Sequence, residues 1–264
     1  MAIRQQPKIR LFWLNQSRAQ SIVWLLEELG LNYELVVFQR TPDMFAPPEL
    51  EKIHPLGKSP LVGITPVGSE REVILAESGF IVQYLAEHFG RGKPLLPTRY
   101  QEGKDGEAGG ETEEWLRYQY LLYYAEGSLM PYNTVSLILS IFKSNKIPLP
   151  IRPIASLLAG KMYGNFVRRN MKKHFSFLES QLGSAPQGGP YLCGPHLTAA
   201  DILLSYPLLS AKREVEKMDV GEGKAFEPYP RLRAYVERIQ SESGYKKAVE
   251  KVKEFEGKGG NKLL

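Results

Sequence analysis

The chain has 264 residues with a single cysteine, Cys193, so neither an internal disulfide framework nor a cysteine-based zinc site can form within it. Its 43% hydrophobic and 24% charged residues suit one large or two modest globular domains, and no apolar run approaches the roughly 20 residues of a membrane-spanning helix. The net charge of +5 is uneven: Lys143 to Lys173 holds eight bases and no acid. That run reads as a solvated helix face, or as a patch for anionic ligands or peripheral contact with an anionic membrane. No recognition motif accompanies it, so nucleic acid is not an expected partner. The four histidines lack metal-ligand spacing, so no metal is expected. No signal-peptide pattern opens the chain, and the expected compartment is the cytoplasm.

Ile9–Trp13 reads as a strand. Ile22, Val23, Leu25, Leu26 and Leu29 then share one helix face, with Ser17 and Gln20 spaced as a capping box and Gly30 as a stop. Tyr33–Phe38 is a second strand, which the short helix makes parallel to the first. Pro60 opens a third strand that Gly63 is expected to close early, and Val73–Ala76 is a fourth. A helix begins at Glu77-Ser78. Residues 1–90 thus read β-α-β, then β-β-α, an α/β unit.

Residues 91–110 form a linker rich in glycine and charge, and 111–264 is an all-helical domain. Glu111 to Phe142 reads as one long helix interrupted near Pro131, and Ile154–Leu182 as another. Leu197–Lys217 is a third, which Pro207 must kink or break. Thr198 and Asp201 are spaced as a cap. Tyr229–Ile239 and Tyr245–Phe255 are short terminal helices. The tail from Gly257 is expected to be mobile.

Three stretches together resemble the cytosolic glutathione transferases. They are Ser17-Arg18-Ala19 leading into Trp24-Leu25-Leu26-Glu27-Glu28-Leu29-Gly30, then His54-Pro55-Leu56-Gly57-Lys58-Ser59-Pro60 with Glu77-Ser78, and Leu197-Thr198-Ala199-Ala200-Asp201. Tyr124-Ala125-Glu126-Gly127-Ser128-Leu129-Met130-Pro131 is similar to a fungal and bacterial branch. The resemblance implies a thioredoxin-like glutathione-binding domain over 1–90, followed by a helical domain that walls the second substrate's site. It also implies a homodimer. Glutathione, the substrate and sole cofactor expected, would pair with Ser59 beside a cis Pro60. Its γ-glutamyl end would meet Glu77 and Ser78, where helix-start N–H groups suit a carboxylate. Its glycyl carboxylate would meet Lys58, with Arg40 or His54 as further candidates.

A free thiol of pKa about 8.5 is only about 3% ionised at pH 7. Conjugation therefore needs a donor that favours the thiolate. The family's tyrosine position falls on Phe12, its serine position on Leu14, and no cysteine occupies the loop. Ser17 is the expected donor, with Asn15 as the alternative. Tyr124 and Glu126 are expected to meet a hydrophobic electrophile. The implied activity is detoxifying transfer of glutathione to electrophiles. A glutathione-dependent peroxidase and a non-catalytic binding module are the alternatives. Thr198 and Asp201 are expected to serve folding, and Cys193 to be structural or incidental.

Overall fold

Alternation decides the first unit. Successive side chains of a strand point to opposite faces; in β1 (Lys8–Leu14) Ile9, Leu11 and Trp13 share one face and Phe12 and Leu14 the other, all buried, so both faces must be covered at the C-terminal end of the strand. Phe12 and Leu14 join Leu50 and Leu61 in a core layer under the 3₁₀ turn Pro48–Lys52. The opposite face is covered by α1 (Ala19–Leu29) and α2 (Ser78–Phe89). The structure, a computed structural model, describes residues 5–221 and 223–256. These form two units: one runs to Leu96 and resumes at Gln240, and the other spans Pro97–Ile239.

The sheet has four strands in the order β2-β1-β3-β4, with β2 at Glu34–Phe38, β3 at Leu61–Thr65 and β4 at Val73–Ala76. β1 and β2 are parallel, and the other two pairings are antiparallel. This is the expected thioredoxin-like β-α-β, β-β-α arrangement. Gly63 does not close β3. It lies mid-strand opposite Arg10 and Ile74, and a Cβ there would meet the Glu72 carboxylate, which pairs with the Arg10 guanidinium. The glycine makes room for an ion pair lying across the sheet. Gly30 does end α1, in the left-handed conformation at φ 70°.

The capping box expected at Ser17 and Gln20 does not form. Helix α1 starts two residues later, with Arg18 at its cap position and no side-chain cap bond. The helix Ser243–Glu256, grouped with the helical region in the sequence reading, counts with the first unit. There Tyr245 packs edge-on against Trp24 at 5.2 Å, and Lys251 pairs with Glu27.

The second unit is helical: α3 (Glu113–Tyr124), α4 (Met130–Phe142), α5 (Arg152–Met162), α6 (Arg169–Gly183), α7 (Ala199–Val215) and most of α8 (Pro230–Ser241). The C-terminal helix of the first unit is α9. The expected break near Pro131 is instead a π turn, Ala125–Leu129, which runs without interruption into α4, so the helix continues through Pro131. Further π turns follow α5 at Tyr163–Arg168 and α7 at Glu216–Val220. Pro207 does not end α7. That helix is buried along most of its length against α3 and α4, and the Pro207 carbonyl accepts from Asn133 Nδ2 at 2.8 Å. Tertiary packing outweighs the lost helical bond. Among the described residues, no helix is long and apolar enough to cross a membrane. The expectation for the tail from Gly257 lies outside the described residues.

Candidate functional site

Sheet register gathers the candidate residues of the first unit at one end of the sheet. Leu14 pairs with Phe38, Phe12 with Leu61, and Leu61 with Ala76. The loop after β1 carries Asn15 and Ser17, and the segment after β2 carries Arg40. The segment before β3 carries Lys58, Ser59 and Pro60, and the junction after β4 carries Glu77 and Ser78. All four therefore leave the sheet at the same edge.

Ser17 is buried, and its Oγ accepts from the Ala19 N–H at 3.2 Å. Ser59 Oγ donates to the Phe12 carbonyl at 3.1 Å and lies 3.5 Å from Ser17 Oγ. With its proton on Phe12, Ser59 can only accept there, so the Ser17 proton faces the Ser59 side of the pair. The Ser59–Pro60 bond is cis. Pro60 is buried, and Lys58 is exposed.

Glu77 is exposed and has φ 69° and ψ 118°, an uncommon conformation for a residue with a Cβ. Such an outlier costs about 1–3 kcal/mol and persists only where its surroundings impose it. It turns the chain out of β4 so that α2 starts at once with Ser78, which is buried. A helix start facing an exposed carboxylate offers N–H groups and a negative charge side by side, suited to an ammonium-carboxylate group.

Arg40 is placed differently from a side chain waiting for a ligand. Its Nε donates to the Asn15 carbonyl at 3.1 Å, its Nη2 to the Gln16 carbonyl at 3.2 Å and its Nη1 to the Met44 carbonyl at 3.0 Å. Asn15 Oδ1 in turn accepts from the Arg40 backbone N–H at 2.7 Å. The pair fastens the β1–α1 loop, in which Gln16 has a left-handed φ of 53°. Sequence reasoning missed this clamp. A long-range arginine bonding main-chain carbonyls leaves no local signature, although a turn between β1 and α1 was foreseeable. His54 Nδ1 accepts from the Leu56 N–H at 3.3 Å, a local turn contact.

Phe12, where the resemblance implies a tyrosine, is buried in the sheet's core layer. In the second unit Tyr124 is also buried. Its hydroxyl lies 2.8 Å from His174 Nδ1, among the rings of Tyr120 and Phe177, and burial raises its pKa well above the usual tyrosine value. Glu126 is half-buried in the first π turn. Thr198 and Asp201 form the expected cap: Asp201 Oδ2 accepts from the Thr198 N–H at 2.9 Å and from its hydroxyl at 2.7 Å. The other carboxylate oxygen accepts from Tyr235 and from the Leu192 N–H. Among the described residues, no group of three or more His, Cys, Asp or Glu could hold a metal ion.

The comparisons agree with this architecture. The model of the glutathione S-transferase N-terminal domain matches residues 8–87, and that of the C-terminal domain matches residues 158–251. The chain is 35% identical to glutathione S-transferase 1 of Saccharomyces cerevisiae over 247 residues, covering 94% of this chain and 96% of that protein. A crystal structure of a glutathione S-transferase from Actinobacillus pleuropneumoniae aligns with TM-score 0.62 at 28% identity, covering 92% of each chain. A glutathione transferase homologue from Lodderomyces elongisporus, solved with two glutathione molecules per subunit, aligns with TM-score 0.66 at 20% identity over 92% of this chain and 98% of that one. The chain belongs to the glutathione S-transferase family.

Proposed function

We propose that this protein binds glutathione at the sheet edge of its first unit and transfers it, as the thiolate, to hydrophobic electrophiles. The observation that carries the reading is the close approach of Ser17 and Ser59 beside the Glu77–Ser78 helix start. In this reading Ser59 pairs with the cysteinyl part, Glu77 and Ser78 hold the γ-glutamyl end, and Lys58 meets the glycyl carboxylate. Pro60 shapes the strand entry beside Ser59. Arg40 and Asn15 hold the loop that presents Ser17.

Ser17 donates its hydroxyl proton to the thiolate sulfur. The Ala19 N–H keeps Ser17 Oγ oriented while it does so. A hydrogen bond to a charged acceptor stabilises it by about 1.5–3 kcal/mol, and a helix N-terminus adds up to about 2 kcal/mol. Together these suffice to lower a thiol pKa by about two units. The thiolate attacks the electrophile, forming a carbon–sulfur bond while the leaving group departs or the adduct takes up a proton. Tyr124 and Glu126 of the helical unit contribute to the electrophile's surroundings, and the protein works as a cytoplasmic homodimer.

The test is calorimetry of glutathione binding across pH, with the ultraviolet absorbance of the bound thiolate followed in the same buffers. Binding with a thiolate signal well below pH 8 is expected. Binding without that signal would leave a ligand-binding module in place of an enzyme, and no binding would remove the reading altogether.

A further inference from the structure

Helix α5 turns its apolar face outward. Ala159, and Tyr163 and Val167 in the π turn beyond it, are buried, while Ile154, Leu157, Leu158, Met162 and Phe166 recur three and four residues apart on the opposite side. Ile154 is 64% exposed and Leu157 61%; Leu149, in the loop before the helix, is 75% exposed. Beside this stripe an apolar cavity of about 300 Å³ opens toward α4, walled by Val135, Leu139, Met162 and Phe166, with Lys161 and Asn165 also lining it. Exposed apolar surface of this continuity is uncommon unless something covers it.

The charges around it say what. All eight ionisable groups charged at neutral pH from Lys143 to Lys173 are basic. Two are internally engaged: Arg168 pairs with Asp219, and Arg152 donates to the carbonyls of Asn145 and Ile147. The other six, Lys143, Lys146, Lys161, Arg169, Lys172 and Lys173, are exposed and make no ion pair with a described residue. Lys143 lies along α5 beside Gly160, and Lys161 falls within the apolar stripe itself. A second copy that set this face against its own counterpart would bring like charges together, whereas an anionic surface neutralises them. Nucleic acid has no use for a stripe of exposed aliphatic side chains. Apolar residues flanked by unpaired lysine and arginine are the composition of a helix lying in the plane of a lipid headgroup layer.

We propose that α5 and its flanking bases are a peripheral membrane-docking face for anionic bilayers. The apolar stripe enters the acyl boundary, and the six bases meet lipid phosphates and carboxylates. This face is independent of the glutathione site, so either reading can fail without the other.

The test is vesicle flotation of the full chain with phosphatidylcholine alone and with phosphatidylcholine containing phosphatidylserine. Binding to the anionic vesicles only, weakening as salt rises, is expected. The triple variant Lys143→Glu, Lys146→Glu, Lys161→Glu should lose affinity by on the order of a hundredfold or more. The pair Leu157→Ser, Leu158→Ser should lose at least about tenfold while keeping every charge. Circular dichroism checks that both variants are folded. Absence of anionic-vesicle binding, or variants that bind as well as the parent, would overturn the proposal. Light scattering that shows the leucine variant dissociating from a dimer would reassign the face to a second copy. Competition by an acidic polypeptide against the leucine variant and the parent alike would reassign it to a protein partner.

Discussion

Ser17 and Ser59 stand Oγ to Oγ at 3.5 Å although 42 residues separate them, and their hydroxyls are not equivalent. Ser59 has its proton committed to the Phe12 carbonyl, whereas Ser17 accepts from Ala19 and turns its proton toward Ser59 across a long 3.5 Å contact, from which a bound thiolate can draw it. The proposed donor is therefore Ser17. Ser17→Ala should lower kcat/KM for a model electrophile by about 10- to 100-fold, the equivalent of one hydrogen bond to a charged sulfur. The affinity for glutathione itself should change little below the thiol's pKa. Ser59→Ala should show the opposite division, with weaker binding and a smaller effect on the bound thiolate. Pre-steady-state kinetics and thiolate absorbance on both variants separate the roles, and a full thiolate signal in Ser17→Ala would exclude Ser17 as donor.

Arg40 should behave as a positioning residue. It joins the carbonyls of Asn15, Gln16 and Met44, which a lysine's single ammonium cannot reach in the same fork. Arg40→Ala should destabilise the first unit by about 2 kcal/mol, since charged hydrogen bonds are worth about 1.5–3 kcal/mol and part of this group is exposed. Arg40→Lys should recover little of it. Thermal unfolding with and without glutathione measures both effects. If Arg40 met the glycyl carboxylate directly, the alanine variant would lose glutathione affinity with its unfolding temperature unchanged.

The two capping boxes read from the sequence show how far local signals reach. Thr198 and Asp201 form theirs because α7 starts at Ala199, which makes Asp201 the third helical residue, and the short carboxylate turns back onto Thr198. Ser17 and Gln20 have the same spacing, yet α1 starts at Ala19, and the serine is left outside. That starting point is set by the left-handed Gln16 and the Arg40 clamp, and neither is visible to a local reading. The four strands, the helices that cover them and the motif residues at the sheet edge were legible, because apolar periodicity and turn residues are local. The β3 strand running through Gly63, the π turns and the carbonyl partners of Arg40 were not. Each depends on residues distant in sequence.

Asp201 carries a fully buried carboxylate that accepts four hydrogen bonds, two from Thr198, one from Leu192 and one from Tyr235. Asp201→Asn keeps the shape but turns an amide donor toward donors that need an acceptor. It should cost about 3 kcal/mol, in the range for breaking a buried hydrogen-bond network. Urea unfolding should show a lower midpoint with an unchanged slope. Tyr235→Phe should cost less, about 1 kcal/mol, because only one of four partners is lost.

His174 should make the second unit sensitive to acid. Burial, and then the neighbouring Lys173, hold its pKa below the ordinary value of 6.5. In the protonated ring both nitrogens are donors, so Nδ1 cannot accept from the Tyr124 hydroxyl 2.8 Å away. A pKa depressed on folding means that stability is fully present above the unfolded value and falls as pH drops through the folded one. The unfolding temperature should therefore decline from pH 7 toward pH 5. His174→Gln should flatten that decline, and an identical slope in the variant would assign it to other groups.

Cys193 decides whether a protein thiol takes part in the chemistry. It is 2% exposed, and burial, with the Asp201 carboxylate next, pushes its pKa well above the ordinary thiol value. At neutral pH it is a protonated, enclosed sulfhydryl, the opposite of a reactive cysteine. Native protein should resist alkylation by iodoacetamide at pH 7.5, whereas denatured protein should take up one equivalent. Cys193→Ala should lower stability by about 1 kcal/mol for the lost sulfur contacts and leave conjugation and glutathione binding at parent levels. A variant that folds but loses turnover, or native protein that is inactivated as it is alkylated, would move the chemistry to this thiol and away from Ser17.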